Sequence, residues 1–491
     1  MTAPRARMSR RLAAPLLLAT ALAGCAVGPD YHRPALPAAA GYGVDVQPGP
    51  GGVGPSLALG QDVDAQWWRA LGSADLDALV DEALKNNPNL DAAKSALRAA
   101  HEATLAQRGA YFPTVAVSIQ PSRQQFAPTL SSPTASGAEL YTLTTTQLSV
   151  GYTPDLFGAN RRAVEQAAAQ EEDQRFELEA ARLTLVNSVV AAAVQDALLR
   201  DQIKATQEII KGQGRTLASF QRQLQLGQAS QADLAAQEAL LAQAQANLPP
   251  LEKAFEINRD QLAALVGRTP AQPVDKVFDL SAFTLPASLP VSLPARLVEQ
   301  RPDVRTAEAQ LHAASAGIGM AVAARLPNLD ISASAGGATL GLGATFNSMT
   351  TFWSVAGTLT QPIFEGGTLL HRQRGAEASY RQAAAQYKST VVGAFQNVAD
   401  SLQAVQTDTA AAQAADVAQA ATGKSLQIAR RQLELGDVSP LALISAEQSD
   451  DQARLTALQA RANLYGDVAA LFQALGGGWW NEDKTSGVPA S

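Results

Sequence analysis

Two tracts of this chain contain no proline, one from Asp155 to Leu248 and one from Ile363 to Ser439. Proline removes a backbone N–H and clashes with the preceding turn, so tracts this long leave room for helices well beyond ordinary globular length. Charged residues recur throughout both, which excludes a membrane-spanning helix. Val391, Phe395, Val398, Leu402 and Val405 are spaced 4, 3, 4, 3, and Leu183, Val186, Val190, Ala193 and Ala197 are spaced 3, 4, 3, 4. These are seams of the coiled-coil kind. The pattern predicts helices over about 158–226 and 366–435, each roughly 100 Å long at 1.5 Å per residue. Gly212 and Gly214 weaken the first, and Pro249-Pro250 should break or kink the helix that returns from Ala229.

The tracts belong to a larger repetition. "NNPNLDAAKSALRAA" from Asn86 returns as "QRPDVRTAEAQLHAA" from Gln300, with Pro88 and Pro113 answered 214 residues later by Pro302 and Pro327. "RQLQLGQASQADLAAQE" from Arg222 matches "RQLELGDVSPLALISAE" from Arg431, 209 residues on. Matches in the same order at several points imply one unit of roughly 210 residues used twice. The expected organisation is a leader over 1–24, an extended segment over 25–66, a first repeat over 67–270, a linker over 271–296, a second repeat over 297–478 and a tail over 479–491.

Ahead of each long helix the period changes to two. "TVAVSIQ" sets Val115, Val117 and Ile119 against Thr114, Ala116, Ser118 and Gln120, and "NLDISASA" sets Leu329, Ile331, Ala333 and Ala335 against Asn328, Asp330, Ser332 and Ser334. Such alternation marks strands. Partners follow in "QLSVGYT", with Leu148, Val150 and Tyr152, and "WSVAGTLT", with Trp353, Val355 and Leu359. Hairpins are expected over about 114–153 and 328–361, with loops at about 121–138 and 336–350. Tyr111, Phe112, Tyr141, Tyr152, Phe352 and Trp353 lie near strand ends, where a membrane barrel carries aromatic girdles. Four strands cannot close a barrel, and an open edge in lipid leaves backbone groups unsatisfied, so several chains must combine. Three would give twelve strands and two would give eight, and the strand count alone does not choose.

Cys25 is the only cysteine, so no intramolecular disulfide can form. Arg5, Arg7, Arg10 and Arg11 precede an apolar stretch from Leu12 to Ala23, too short to span a bilayer and organised like a secretory signal. Leu22-Ala23-Gly24-Cys25 resembles the bacterial lipobox, whose cysteine is acylated and becomes the first residue, and Ala26 in place of Asp implies an outer-membrane address. The full chain carries a net charge of -7, and losing those four arginines leaves -11. A chain so acidic is a poor nucleic-acid binder. Aromatics make up only 5%, while alanine and glutamine fill the long tracts, as suits closely packed helical walls with narrow dry seams.

From about Cys25 to Trp479 the chain resembles the TolC-like outer membrane efflux proteins, in particular the NodT-type lipoproteins of resistance-nodulation-division (RND) systems. The stretches that carry the resemblance are "CAVGPDYHRP" at 25–34, "WW" at 67–68, "LDALVDEALKNNPNL" from Leu76, "LPARLVEQRPDVRTAEAQLHAA" from Leu293, "QPIFEGG" from Gln361 and "ALGGGW" from Ala474. The resemblance implies a mainly α chain that adds four strands to a twelve-stranded outer-membrane β-barrel in a homotrimer, continued by a long periplasmic helical barrel. It implies a periplasmic adaptor and an inner-membrane RND pump as partners, outer-membrane lipid around the barrel, and passive conduction of small molecules.

Candidate sites follow at the turns "LGQASQADL" from Leu226 and "LGDVSPLAL" from Leu435, where glycine suits a left-handed helix end and serine an N-cap. The resemblance places both turns at the periplasmic tip, which makes Leu226, Gly227, Ser230, Leu435, Gly436 and Ser439 candidate adaptor contacts. Relatives carry acidic residues just past the second turn. The matching positions here are Ala442 and Ser445, with Leu441 as an apolar constriction. No cofactor or metal is implied: His32, His101, His312 and His371 are scattered without a partner at ligand spacing. "GLGATF" from Gly341 precedes a strand where a phosphate loop needs a helix, and "GGG" at 476–478 precedes two tryptophans and a polar tail. Three readings compete: a passive export duct, a lipid-anchored adaptor or coiled-coil scaffold, and an enzyme. The paired amphipathic hairpins and whole-chain repetition favour the duct.

Overall fold

The computed structural model describes residues 26–35, 42–43, 55–125, 127, 138–292, 294–340 and 349–481. Cys25, the leader, "GLGATF" and the tail beyond Asn481 lie outside them. The chain divides into two compact units that cut across the sequence repeats. One comprises the chain up to Arg33, Leu97–Asp173 and Ala307–Tyr387; the other comprises Pro34–Ala96, Gln174–Thr306 and Lys388 onward.

The principal elements among the described residues follow the predicted order. Strand β1 (Ser56–Leu59) precedes helices α1 (Ala74–Asn86) and α2 (Pro88–Arg108). Next come β2 (Thr114–Gln125), β3 (Leu140–Tyr152), α3 (Ala159–Gln225) and α4 (Gln231–Leu265). The second half runs β4 (Ser288–Val291), α5 (Pro294–Gln300), α6 (Pro302–Ala323), β5 (Asn328–Thr339), β6 (Thr351–Thr360), α7 (Thr368–Leu435) and α8 (Pro440–Ala474).

The first unit holds a four-stranded antiparallel sheet in the order β2-β3-β5-β6. Its register lines up Val115, Val150, Ala333 and Val355 across the strands, and likewise Val117, Leu148, Ala335 and Trp353. Directly opposed residues share a face. One face is therefore an apolar band, and it is bare: Val115 is 64% exposed, Ile119 66% and Trp353 78%. The other carries small polar groups, among them Ser334 and Ser354, whose hydroxyls lie 2.8 Å apart. Two loop boundaries need correction. β2 continues through Pro121 to Gln125, and β5 through Gly336 and Gly337 to Thr339. Turn-forming residues stay extended there because β3 completes the ladder opposite both, with Pro121 facing Thr144 and Gly336 facing Gln147.

The N-terminal segment is strapped to the same unit. The Val27 N–H donates to the Phe157 carbonyl at 3.0 Å. Arg162, its side chain 5% exposed, donates to the carbonyls of Val27 and Gly28 and to Asp30, the last at 2.7 Å. Gly28 (φ +95°) lies so close to Gly319 that a Cβ would stand 2.4 Å from the Gly319 Cα, so any side chain would lift the strap. Tyr31 stacks on His312 with ring centroids 4.3 Å apart.

The second unit buries Trp67, Trp68, Leu71, Leu76 and Leu79, with Phe278, Leu289, Leu297 and Leu475. Trp67 stacks on Phe472 at 5.1 Å, and the Trp479 indole N–H donates to the Gln300 carbonyl at 2.7 Å. Beside this core the parallel pair β1–β4 joins the segment before α1 to the linker between repeats. In α7 the predicted seam is buried at Val391, Val398, Leu402 and Val405. In α3 burial spreads beyond the predicted seam, because Leu185, Val189 and Leu198 are enclosed as well as Val186 and Val190. This apolar stretch is long enough to cross a membrane by composition alone, yet most of it is buried in the fold.

α3 is continuous through Gly212 and Gly214, with Ala205, Gln213 and Phe220 buried around them. The predicted break at Pro249-Pro250 does not occur; α4 contains both prolines. Both are exposed, as are Gln245 and Ala246 four residues earlier, so water can take the carbonyls that the proline rings leave unbonded. The opposite side of α4 is held by buried Asn258 and Leu262, and Asn258 Nδ2 donates to the Ala192 carbonyl of α3 at 2.9 Å.

Candidate functional site

Both long helical hairpins, α3–α4 and α7–α8, turn in the same way. At the first turn the Gln228 N–H reaches back to the Gln223 carbonyl (2.8 Å) and the Gly227 N–H to Leu224 (3.0 Å). At the second, Asp437 reaches Gln432 (2.9 Å) and Gly436 reaches Leu433 (3.1 Å). Each is the paired bond of a Schellman end, which needs one left-handed residue. Gly227 (φ +70°) and Gly436 (φ +79°) supply it. Leu226 and Leu435, just before them, point their apolar side chains into open space, 72% and 62% exposed.

The return helices start differently. Ser230 accepts from the Asp233 N–H at 3.1 Å, and Asp233 accepts from the Ser230 N–H at 3.1 Å and from its hydroxyl at 2.7 Å. This is a complete capping box, and the hydroxyl bond holds the exposed Asp233 carboxyl below the usual carboxylate range. Ser439 occupies the N-cap of α8 without a side-chain cap bond, contrary to the role predicted for its hydroxyl. Pro440 follows at N1, where it presets the helical φ and has no N–H in need of a partner, and Ala442 in place of an acid leaves no partner for a box.

Leu441, Ala442 and Ser445 share the exposed side of α8, while Leu443, Ile444 and Glu447 are buried on the other. Leu443 packs with Leu426 and Ala429 of α7. The exposed triplet contains no carboxylate. The nearest acids toward the turn are Glu434, paired with Arg431 at 3.2 Å, and Asp437.

Behind the tips, polar groups cross from helix to helix. Glu447, 3% exposed, accepts from the Thr216 hydroxyl of α3 at 3.0 Å and from Arg430 of α7 at 3.2 Å. One turn further along α8, Asp451 accepts from Gln213 at 3.1 Å, and buried Gln237 of α4 donates to the Gln213 carbonyl at 3.1 Å. Thr422 of α7 donates to Asp450 at 3.3 Å. Burial drives the Asp451 carboxyl up to about 6, against the Gln213 hydrogen bond and with help from Glu447 and Asp450. The sequence reading missed this network, although a signal was present: Glu447 continues the buried stripe of Leu443 and Ile444 at the helical spacing where an apolar residue is expected. A cleft of about 340 Å³ lies beside it, lined by Arg215, Phe220, Arg430, Leu433 and Glu447 among others.

Of the histidines, His101 pairs with Glu171 at 2.8 Å and His312 with Glu165 at 3.0 Å. Among the described residues no cluster of three His, Cys, Asp or Glu side chains is placed to hold a metal ion.

The sequence model of the family described as "Outer membrane efflux protein" matches residues 79–268 and 293–477. The pyoverdine export outer membrane protein OpmQ of Pseudomonas putida is 29% identical over 430 residues, covering 86% of this chain and 90% of OpmQ. The outer membrane protein OprJ of Pseudomonas aeruginosa is 29% identical over 483 residues, covering 94% of this chain and 95% of OprJ. Among solved structures, the open state of the MtrE outer membrane channel of Neisseria gonorrhoeae superposes with a TM-score of 0.80 at 27% identity, over 93% of this chain and 99% of MtrE.

Proposed function

The chain belongs to the outer membrane efflux protein family, and from that premise we propose that it is the exit duct of a tripartite efflux system. In this role three copies close a twelve-stranded barrel in the outer membrane and continue it as a helical tunnel through the periplasm. An inner-membrane RND pump and a periplasmic adaptor deliver small molecules to it, and the duct conducts them without chemistry of its own.

The observation that carries this reading is a four-stranded sheet, apolar on its bare face and unpaired at both edges, joined directly to helices of 67 and 68 residues. In water such a face would aggregate; in lipid it is the surface a barrel presents. The unpaired edges call for neighbouring copies. Duplication of one ancestral unit accounts for the repeated order of helix, hairpin and helical hairpin. Leu226, Gly227 and Ser230 on the first tip, with Leu435, Gly436 and Ser439 on the second, form the adaptor contact. Leu441, Ala442 and Ser445 line the aperture. Acylated Cys25 anchors the mature chain in the same membrane.

The test uses the full mature protein in detergent. Light scattering should give the mass of three chains, intact-mass analysis should find a diacylated and N-acylated Cys25 at the start, and planar bilayers should show a conducting pore. A stable monomer, or a trimer that does not conduct, would sink the duct reading.

A further inference from the structure

The four strands of the first unit carry two charged residues, and the register sets them on opposite faces. Arg123 shares the bare apolar face with Val117 and Ile119, whereas Asp330 lies on the polar face, opposite Thr358 of β6. Its neighbours on that face are neutral hydroxyls and amides such as Ser118, Gln147, Ser334 and Ser354. The acid belongs to one repeat only, because the counterpart of Asp330 214 residues earlier is Ala116.

Asp330 stands at the foot of β5 and is exposed. Two neutral donors hold its carboxylate: the Thr153 hydroxyl donates to Oδ1 at 2.6 Å and the Asn328 amide to Oδ2 at 3.0 Å. These bonds fix its direction and leave its charge, and each oxygen keeps acceptor capacity. Among the described residues it has no cationic partner. Asp155 nearby is already spent, since it accepts from the backbone N–H groups of Asn160 and Arg161 and from the Arg161 guanidinium.

Asp155 and Asp330 line a common cleft of about 510 Å³, within the size range that holds a drug-sized molecule. Met320 and Ala323 of α6, Leu326 after it, and Leu156 and Phe157 ahead of α3 give it apolar walls. Asn328, Asp330 and Thr360 supply its polar lining, and all three lie on the polar face of the sheet. A metal ion would find one uncommitted carboxylate, short of the oxygen set it needs. An anion would be repelled, and a neutral apolar molecule would leave the charge unanswered.

We propose that this cleft binds an amphiphilic organic cation, with the positive charge against Asp330 and the apolar body against Met320, Leu326 and Phe157. The thioether of Met320 lets the wall adapt to bodies of different shape. The consequence for transport rests on the duct reading: in a ring the polar face is the lumen. Three Asp330 carboxylates then give the duct a preference for cationic cargo that the acid-free triplet Leu441, Ala442 and Ser445 does not.

The test uses the full mature protein in nonionic detergent, with rhodamine 6G as an amphiphilic cation and fluorescein as an anion on the same ring frame. Fluorescence anisotropy against a detergent blank follows both. Rhodamine 6G should bind saturably, a single molecule per chain, and fluorescein should not. Asp330→Asn keeps the shape and can still accept from Thr153; it should weaken rhodamine 6G binding at least about five-fold, the loss of one charge contact at the water-exposed limit. Met320→Ala should weaken it at least about three-fold through lost apolar contact. Asp437→Asn, at the second helical turn, should leave it unchanged. Undiminished binding by Asp330→Asn, or an equal loss with Asp437→Asn, overturns the site. A loss with Asp330→Asn and none with Met320→Ala reduces it to surface charge and overturns the cleft. A conducting trimer that fails these tests leaves the duct standing without the site. A monomer that passes them keeps the site and sinks the duct.

Discussion

Replacing Ser230 and Ser439 by alanine, one at a time, should separate two residues that look equivalent in the sequence. The Ser230 side chain accepts one of the orphan N–H groups of α4, from Asp233 at 3.1 Å, and Asp233 returns a bond to the Ser230 backbone. Losing the hydroxyl breaks the first bond and removes the 2.7 Å contact that positions the carboxylate for the second. Cap losses of this kind cost about 1 kcal/mol, within a range of about 0.5–2. Because the tip is exposed, the cost falls on local opening and not on global unfolding. An opening equilibrium shifted by about 1 kcal/mol speeds exchange of the amides it protects about five-fold. Ser439 makes no side-chain cap bond, and Pro440 already fixes the first turn of α8. Ser439→Ala should therefore change local opening by no more than a few tenths of a kcal/mol. Hydrogen exchange read by mass spectrometry on peptides covering 231–240 and 440–449 measures both. Equal acceleration at the two tips, or none at the first, would refute the capping argument. If both serines also contact an adaptor, both variants should weaken adaptor binding, so exchange and binding separate the two roles.

Other outcomes follow from the same region. The Asp451 carboxyl is raised from 3.8 to about 6, so the folded state retains a proton that the unfolded chain has lost between those values. Stability from this group is greatest below about pH 4 and falls as pH rises through about 6, by about 1–2 kcal/mol after discounting for partial exposure. Asp451→Asn should flatten that slope and slow local exchange of α8 at pH 7.5 while changing nothing at pH 4; an unchanged pH profile would reject it. On the proposal that Ala442 and Ser445 line the aperture, Ala442→Asp with Ser445→Asp should strengthen cation preference and divalent-cation block in planar bilayers, since carboxylates confined in a narrow cleft focus the field. Leu441→Ser should mainly raise conductance. Strong carboxylate-dependent block in the unaltered protein would instead implicate Glu434 or Asp437.

The long helices and hairpins were legible because their signals are local and periodic. The 4, 3 spacing of Val391 to Val405 and the alternation of Val115, Val117 and Ile119 depend on no distant partner. Pro249-Pro250 misled because the cost of a proline depends on which side of the helix its freed carbonyls face, and that is set by what α4 packs against. Pro121 and the glycines at 336 and 337 misled for a related reason: each reads as a turn until a neighbouring strand completes its ladder. At the tips, the glycines were readable from their type and place, whereas the unequal capping of Ser230 and Ser439 turned on what stands at the next positions, Asp233 against Ala442 at N3 and Pro440 at N1. The network through Glu447, Asp451 and Gln213 was hidden because a polar side chain on a long helix reads as solvated until another helix covers it.

The strap from Ala26 to Arg33 has a consequence in time as well as in space. It is the first described part of the chain to be synthesised, but its partners come much later: Phe157 and Arg162 about a third of the way along, Gly319 and His312 nearly two thirds. Contacts across such separations form late, after nearer ones have shortened the loops they must close. The strap therefore has nothing to lie on until the start of α3 and α6 are in place. The first-made of the described residues are among the last to find their seat, and an unfinished chain emerges with that end still loose.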